Sequence, residues 1–109
     1  MTDETLIGEI NTAYRRLGAA AEELARTDRE LTDHVRRVRL DNAEAILEAR
    51  NERTASLYLD GLLDTEEHRA LEAARSGAEI GLQQARFEVD RLQLIVRLLG
   101  TRAGEATRG

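Results

Sequence analysis

The sequence has no cysteine, no proline and no tryptophan, and only one phenylalanine and two tyrosines among its 109 residues. Without cysteine there is no disulfide framework, no thiolate nucleophile and no cysteine-based zinc or iron–sulfur site. Without proline nothing in the chain forbids a long helix. The scarcity of aromatic and β-branched side chains argues against a sheet. Lysine is absent as well, so all 16 basic residues are arginine. A solvated helix face accepts either base, which makes this a mark of GC-rich coding rather than of function. Long hydrophobic runs are missing too: the densest, residues 92–99, is interrupted by Gln93 and Arg97. It falls well short of the ~20 apolar residues that a membrane helix needs. The opening Met-Thr-Asp-Glu-Thr lacks the basic and apolar regions of a signal peptide, and the expectation is a cytoplasmic protein. A net charge of -5 weighs against non-specific binding to nucleic acid.

What is present is alanine, leucine, glutamate and arginine at helical spacing, the composition of long helices and coiled coils. The clearest pattern is near the end. Ala78, Leu82, Ala85, Val89, Leu92, Val96 and Leu99 alternate in steps of four and three, which draws an apolar seam along one helix and calls for a partner. Earlier, Ile10, Leu17, Leu24, Leu31, Val38 and Ala45 recur every seven residues, with Leu6, Tyr14, Ala21 and Val35 beside them. Gly8 and Gly18 weaken that stripe or mark a close helix approach.

These patterns predict one helical domain over residues 1–100, followed by a flexible tail at 101–109. A first helix covers about 4–59, with a candidate break at 27, where Thr27 and Glu30 have capping-box spacing. The turn falls at 60–64, with Gly61 available to close the helix and Asp64 or Thr65 to cap the next, which runs over about 65–99. A helix of that length spans roughly 50 Å. Folding back at Gly61, it reaches only to about residue 25 and leaves the stripe at 5–25 without a partner. The segment then either folds back as a third helix or pairs with another copy. The expected fold is therefore all-α: an antiparallel helical hairpin, or coiled coil, with an N-terminal helical extension, assembled as a dimeric bundle. The assembly or partner seam is assigned to Leu17, Leu24, Leu31, Val38, Leu82, Val89, Leu92, Val96 and Leu99.

Little points to chemistry. Di-iron and related bundles use Glu-x-x-His pairs, but Leu31 and Thr65 stand three residues before His34 and His68. No metal or cofactor is expected. His34 lies close to the seam, where it reads as a boundary residue able to set register or respond to pH. Arg29, Arg36, Arg37 and Arg39 form the one dense basic cluster and are the candidate nucleic-acid contacts, although no aromatic side chains are interleaved to stack bases. No phosphate-binding loop, nucleophile elbow or catalytic triad can be assembled, so the chain is not expected to be an enzyme.

The WXG100-type secreted hairpins carry Trp-x-Gly in the turn, whereas here Tyr58-Leu59-Asp60-Gly61 occupies it. A different set, Arg53-Thr54-Ala55-Ser56-Leu57-Tyr58-Leu59 with Thr65, Arg69-Ala70, Ala85 and Arg91-Leu92, resembles small helical coiled-coil proteins of tailed bacteriophages with GC-rich, actinobacterial hosts. The resemblance spans about residues 43–99 and departs around the more apolar turn at Gly61. It implies an accessory role and assigns no activity to any residue. The expected function is a protein–protein interaction or structural module that self-associates and binds a host or viral protein. The alternative is a recombination or replication accessory protein using the arginine face.

Overall fold

A computed structural model describes the backbone of residues 2–108 and the side chains of residues 2–100. The described residues form four helices and no strand: α1 (Asp3–Asp41), α2 (Ala43–Leu47), α3 (Glu52–Leu62) and α4 (Glu66–Arg108). The chain divides into two units. One joins Met1–Glu22 to Glu79–Gly109, and the other is Glu23–Ala78.

α1 opens where Thr2 Oγ1 accepts from the Thr5 amide at 3.2 Å, with Asp3 and Glu4 favourably placed in the first turn. It does not break at Thr27. That hydroxyl donates to the carbonyls of Glu23 and Leu24, at 3.0 and 3.1 Å, so the capping box is unused and the polar group is satisfied inside the helix. Leu6, Ile10, Ala13, Leu17, Ala20, Leu24, Thr27, Leu31, His34 and Val38 form one unbroken four–three series, and all are buried or half-buried. Tyr14 and Ala21, expected beside the stripe, are exposed.

The first helix ends at Asp41 rather than near residue 59. The next seam position after Val38 is the charged Asp41, and Asn42 turns its Nδ2 to the Val38 carbonyl at 2.9 Å. A side chain that competes for the backbone in this way favours a helix end. Ala45 therefore lies in the short α2 and is exposed. α3 starts afresh at Asn51, whose Oδ1 accepts from the Thr54 amide at 2.9 Å. Gly61 lies inside α3, and no described residue has positive φ. The turn occupies residues 63–65, where the backbone at Leu63 stays near helical and Thr65 Oγ1 caps α4 through the His68 amide at 3.2 Å. Gly100 does not end α4, whose backbone continues as helix through residues 101–108 in place of the expected tail. Gly109 and Met1 lie outside the described residues.

Within the first unit α1 and α4 run antiparallel: Glu9 faces Arg91 electrostatically, Arg16 faces Glu88, and Leu6, Ala13, Val89 and Leu92 form the core with Ile10, Leu17 and Ile95 against it. The stripe at 5–25 was expected to lack an intrachain partner because the predicted first helix runs on to about residue 59. With α1 closing at Asp41, residues up to Glu22 instead belong with α4 from Glu79 onward.

Within the second unit the same two helices are again antiparallel. Asp28 bonds Arg75 at 2.7 Å, and the rings of His34 and His68 lie 5.5 Å apart. α2 and α3 pack on each other in this unit, and neither contributes a buried residue.

Candidate interaction surface

Burial sorts the predicted seam into two groups. Leu82, Val89 and Leu92 are buried, the last at 1 % exposure, and Leu17, Leu24, Leu31 and Val38 are half-buried. The first three are covered within the chain and the other four are partly covered. Val96 and Leu99 are exposed, at 43 % and 42 %, because the seam of α4 steps from Leu92 to Ile95 instead of Val96. Val96 lines the mouth of an open groove of about 460 Å³ with Ile10, Tyr14, Val89, Leu92 and Gln93. The floor of the groove is the apolar core itself, and Tyr14 and Gln93 form its rim.

The back of α4 in the same unit carries a second stripe that sequence reasoning did not single out. Ile80, Phe87 and Leu94 stand seven apart, with Leu98 four further on, so they share a face nearly opposite the α1 seam. All four are more than half exposed, Phe87 at 70 %. The signal was the step of seven itself, masked by the stronger seam alongside it.

Charge is arranged as local pairs. Arg26 bonds Glu23 and reaches Glu30 at 2.7 Å; Arg91 bonds Glu88 at 2.8 Å. The bond from Arg26 holds the Glu23 carboxyl below its ordinary value, and the guanidinium is pushed up in return. Glu88 is lowered in the same way by the bond from Arg91.

The four candidate nucleic-acid contacts do not share one face. Arg36 and Arg39 line a cleft with Asp28, Leu31 and Arg75, whereas Arg37 lies a hundred degrees around the helix from Arg36. None of the four pairs with a carboxylate of the described residues.

His34 is not a boundary residue but a seam residue, 8 % exposed. Its Nδ1 lies 3.8 Å from Glu67 Oε1, and His68 Nε2 lies 2.7 Å from Glu72 Oε1. The remaining nitrogens, His34 Nε2 and His68 Nδ1, are buried without a partner.

Compared with protein-family models, curated proteins and solved structures, the chain matches none of them. Among the described residues no helix is long and apolar enough to cross a membrane, and no three His, Cys, Asp or Glu side chains group as metal ligands.

Proposed function

We propose that this chain is a non-catalytic interaction module that forms a homodimeric, coiled-coil bundle through the exposed apolar faces of its first unit. The observation that carries this reading is the apolar surface on and beside α4. Ile7, Tyr14, Ile80, Phe87, Leu94, Val96, Leu98 and Leu99 are each about half exposed or more. At about 200 Å² per fully exposed side chain of this size, the four stripe residues Ile80, Phe87, Leu94 and Leu98 hold on the order of 500 Å², and Tyr14 and Val96 add apolar surface at the groove on the other side of α4. Scattered apolar residues are ordinary on a monomer, but a stripe of this extent marks an association surface. A second copy is the occupant favoured, since a two-helix core of this size buries little on its own. In this reading the module then presents its remaining helix face to a host or viral protein, as a phage accessory protein in the cytoplasm of a bacterium or infected cell.

The test is mass in solution for the full chain and for a Phe87→Glu/Leu94→Glu variant, with helicity followed by circular dichroism. The wild type is expected to be a dimer and the variant a monomer of unchanged helicity. A wild type that stays monomeric at every concentration would overturn the proposal.

The cleft holding Arg36, Arg39 and Arg75 favours a second reading, a nucleic-acid accessory role. It requires salt-dependent binding to DNA that weakens in an Arg36→Gln/Arg39→Gln variant.

A further inference from the structure

We propose that His34 and His68 form a two-imidazole site for a transition-metal ion of the zinc class. A carboxylate lies on the outer side of each ring, Glu67 3.8 Å from His34 Nδ1 and Glu72 2.7 Å from His68 Nε2. A carboxylate only accepts, so Glu72 favours the proton of His68 on Nε2, and Glu67, within ion-pair reach, favours the proton of His34 on Nδ1. In a neutral imidazole a donor on one nitrogen leaves a lone pair on the other. The two lone-pair nitrogens are then His34 Nε2 and His68 Nδ1, the two atoms that are buried with no partner. Two acceptors cannot hydrogen-bond each other. Buried polar groups are rarely left in this state, and an ion or water is the usual resolution.

Three features favour a metal ion over water. A carboxylate behind each ligating histidine is the arrangement that fixes tautomer and ring orientation at metal centres. Two imidazoles bound to one ion at about 2.0–2.1 Å place their ring centroids roughly 5–6 Å apart, and these lie 5.5 Å apart. Glu67 and Glu72 also supply two negative charges to balance a divalent cation. Imidazole nitrogen selects zinc, copper or nickel over magnesium or calcium. No third protein ligand joins the pair among the described residues, so water completes the coordination and binding is weaker than at three- or four-ligand sites.

The experiment uses the full chain without a polyhistidine tag, titrated with zinc chloride and, separately, magnesium chloride. Long-range proton–nitrogen spectra of the imidazoles report each ring nitrogen. Zinc is expected to shift His34 Nε2 and His68 Nδ1 while the outer nitrogens stay protonated, and to raise Tm by several degrees. Magnesium is expected to do neither, and His34→Gln to abolish the zinc response. Because the spectra are read on the wild type, a variant that fails to fold does not decide the matter. Inner nitrogens unmoved by zinc, as for a water-bridged or proton-sharing pair, would overturn the site. So would an equal response to magnesium, or a zinc response that survives in a folded His34→Gln variant.

Discussion

Gln93 Nε2 donates to Tyr14 Oη at 2.8 Å and joins α4 to α1 at the rim of the apolar groove. The bond fixes which turn of one helix faces which turn of the other, but it is made at the exposed edge, where water competes for both groups. Its contribution is therefore to register more than to stability. Tyr14→Phe is expected to change the unfolding free energy by less than about 0.5 kcal/mol, at the low end for a hydrogen bond, when measured by urea denaturation.

Leu92 is the most fully buried apolar side chain of the core, whereas Val96, one turn later, is 43 % exposed. Leu92→Ala should cost about 2–4 kcal/mol through lost burial and the cavity left behind. Leu92→Asp should cost more, because a carboxylate would be buried with no partner. Val96→Asp is expected to leave the monomer folded and to weaken association instead. Paired denaturation and mass measurements separate the two outcomes.

How far the sequence could be read depended on where polar residues fell. The seam of α4 from Ala78 to Leu92 was legible because every position is apolar, and Leu17, Leu24, Leu31 and Val38 were legible for the same reason. Their companions Thr27, His34, His68 and Arg75 were not, because a period count over apolar residues skips a hydroxyl, an imidazole or a guanidinium. Thr27 bonds carbonyls of its own helix, Arg75 bonds Asp28, His68 lies 2.7 Å from Glu72, and the rings of His34 and His68 lie 5.5 Å apart. Gly61 is a strong helix-closing signal by composition, yet it sits inside α3 with ordinary backbone angles, and the turn follows at 63–65. The signals that ended α1 and started α3 were the asparagines at 42 and 51, whose side chains bond the local backbone. Of the seam residues assigned from the sequence, Leu82, Val89 and Leu92 are buried within the chain, whereas Val96 and Leu99 are exposed. Ile80, Phe87 and Leu94 are exposed as well.

Thr27 is 2 % exposed, and its hydroxyl spends its bond on carbonyls of its own helix. Those carbonyls keep their helical amide partners when the hydroxyl is removed, so no group is orphaned. Thr27→Val should be neutral or slightly stabilising, within about 0.5 kcal/mol of the wild type. Thr27→Asp should cost several kcal/mol by burying a charge. A loss of more than about 1 kcal/mol in the valine variant would show that the hydroxyl bonds across to another element.

Gly18 lies in the middle of α1, and a Cβ built there meets nothing within 4 Å. Close helix approach is therefore not its reason for being there, and the residue carries only the entropic cost of glycine in a helix. Gly18→Ala should stabilise the chain by about 0.5–1 kcal/mol, read as a shift in urea midpoint at constant slope. Destabilisation would mean that the site is occupied by another chain, which makes the variant an independent probe of assembly.

The last expectation concerns acid. Glu23 and Glu88 are held below the ordinary value of 4.5 by bonds from Arg26 and Arg91. A carboxylate with a lowered folded-state pKa contributes stability that is fully present above its unfolded value and is lost as pH falls through the folded one. The chain should thus lose stability on acidification below about pH 4.5, as these pairs are neutralised. Both pairs are solvent-exposed, so the loss should be small and should shrink further in high salt. Glu23→Gln/Glu88→Gln should flatten the acid limb of a stability profile measured from neutral pH downward. An acid limb of unchanged depth in that double variant would place the responsible carboxylates elsewhere.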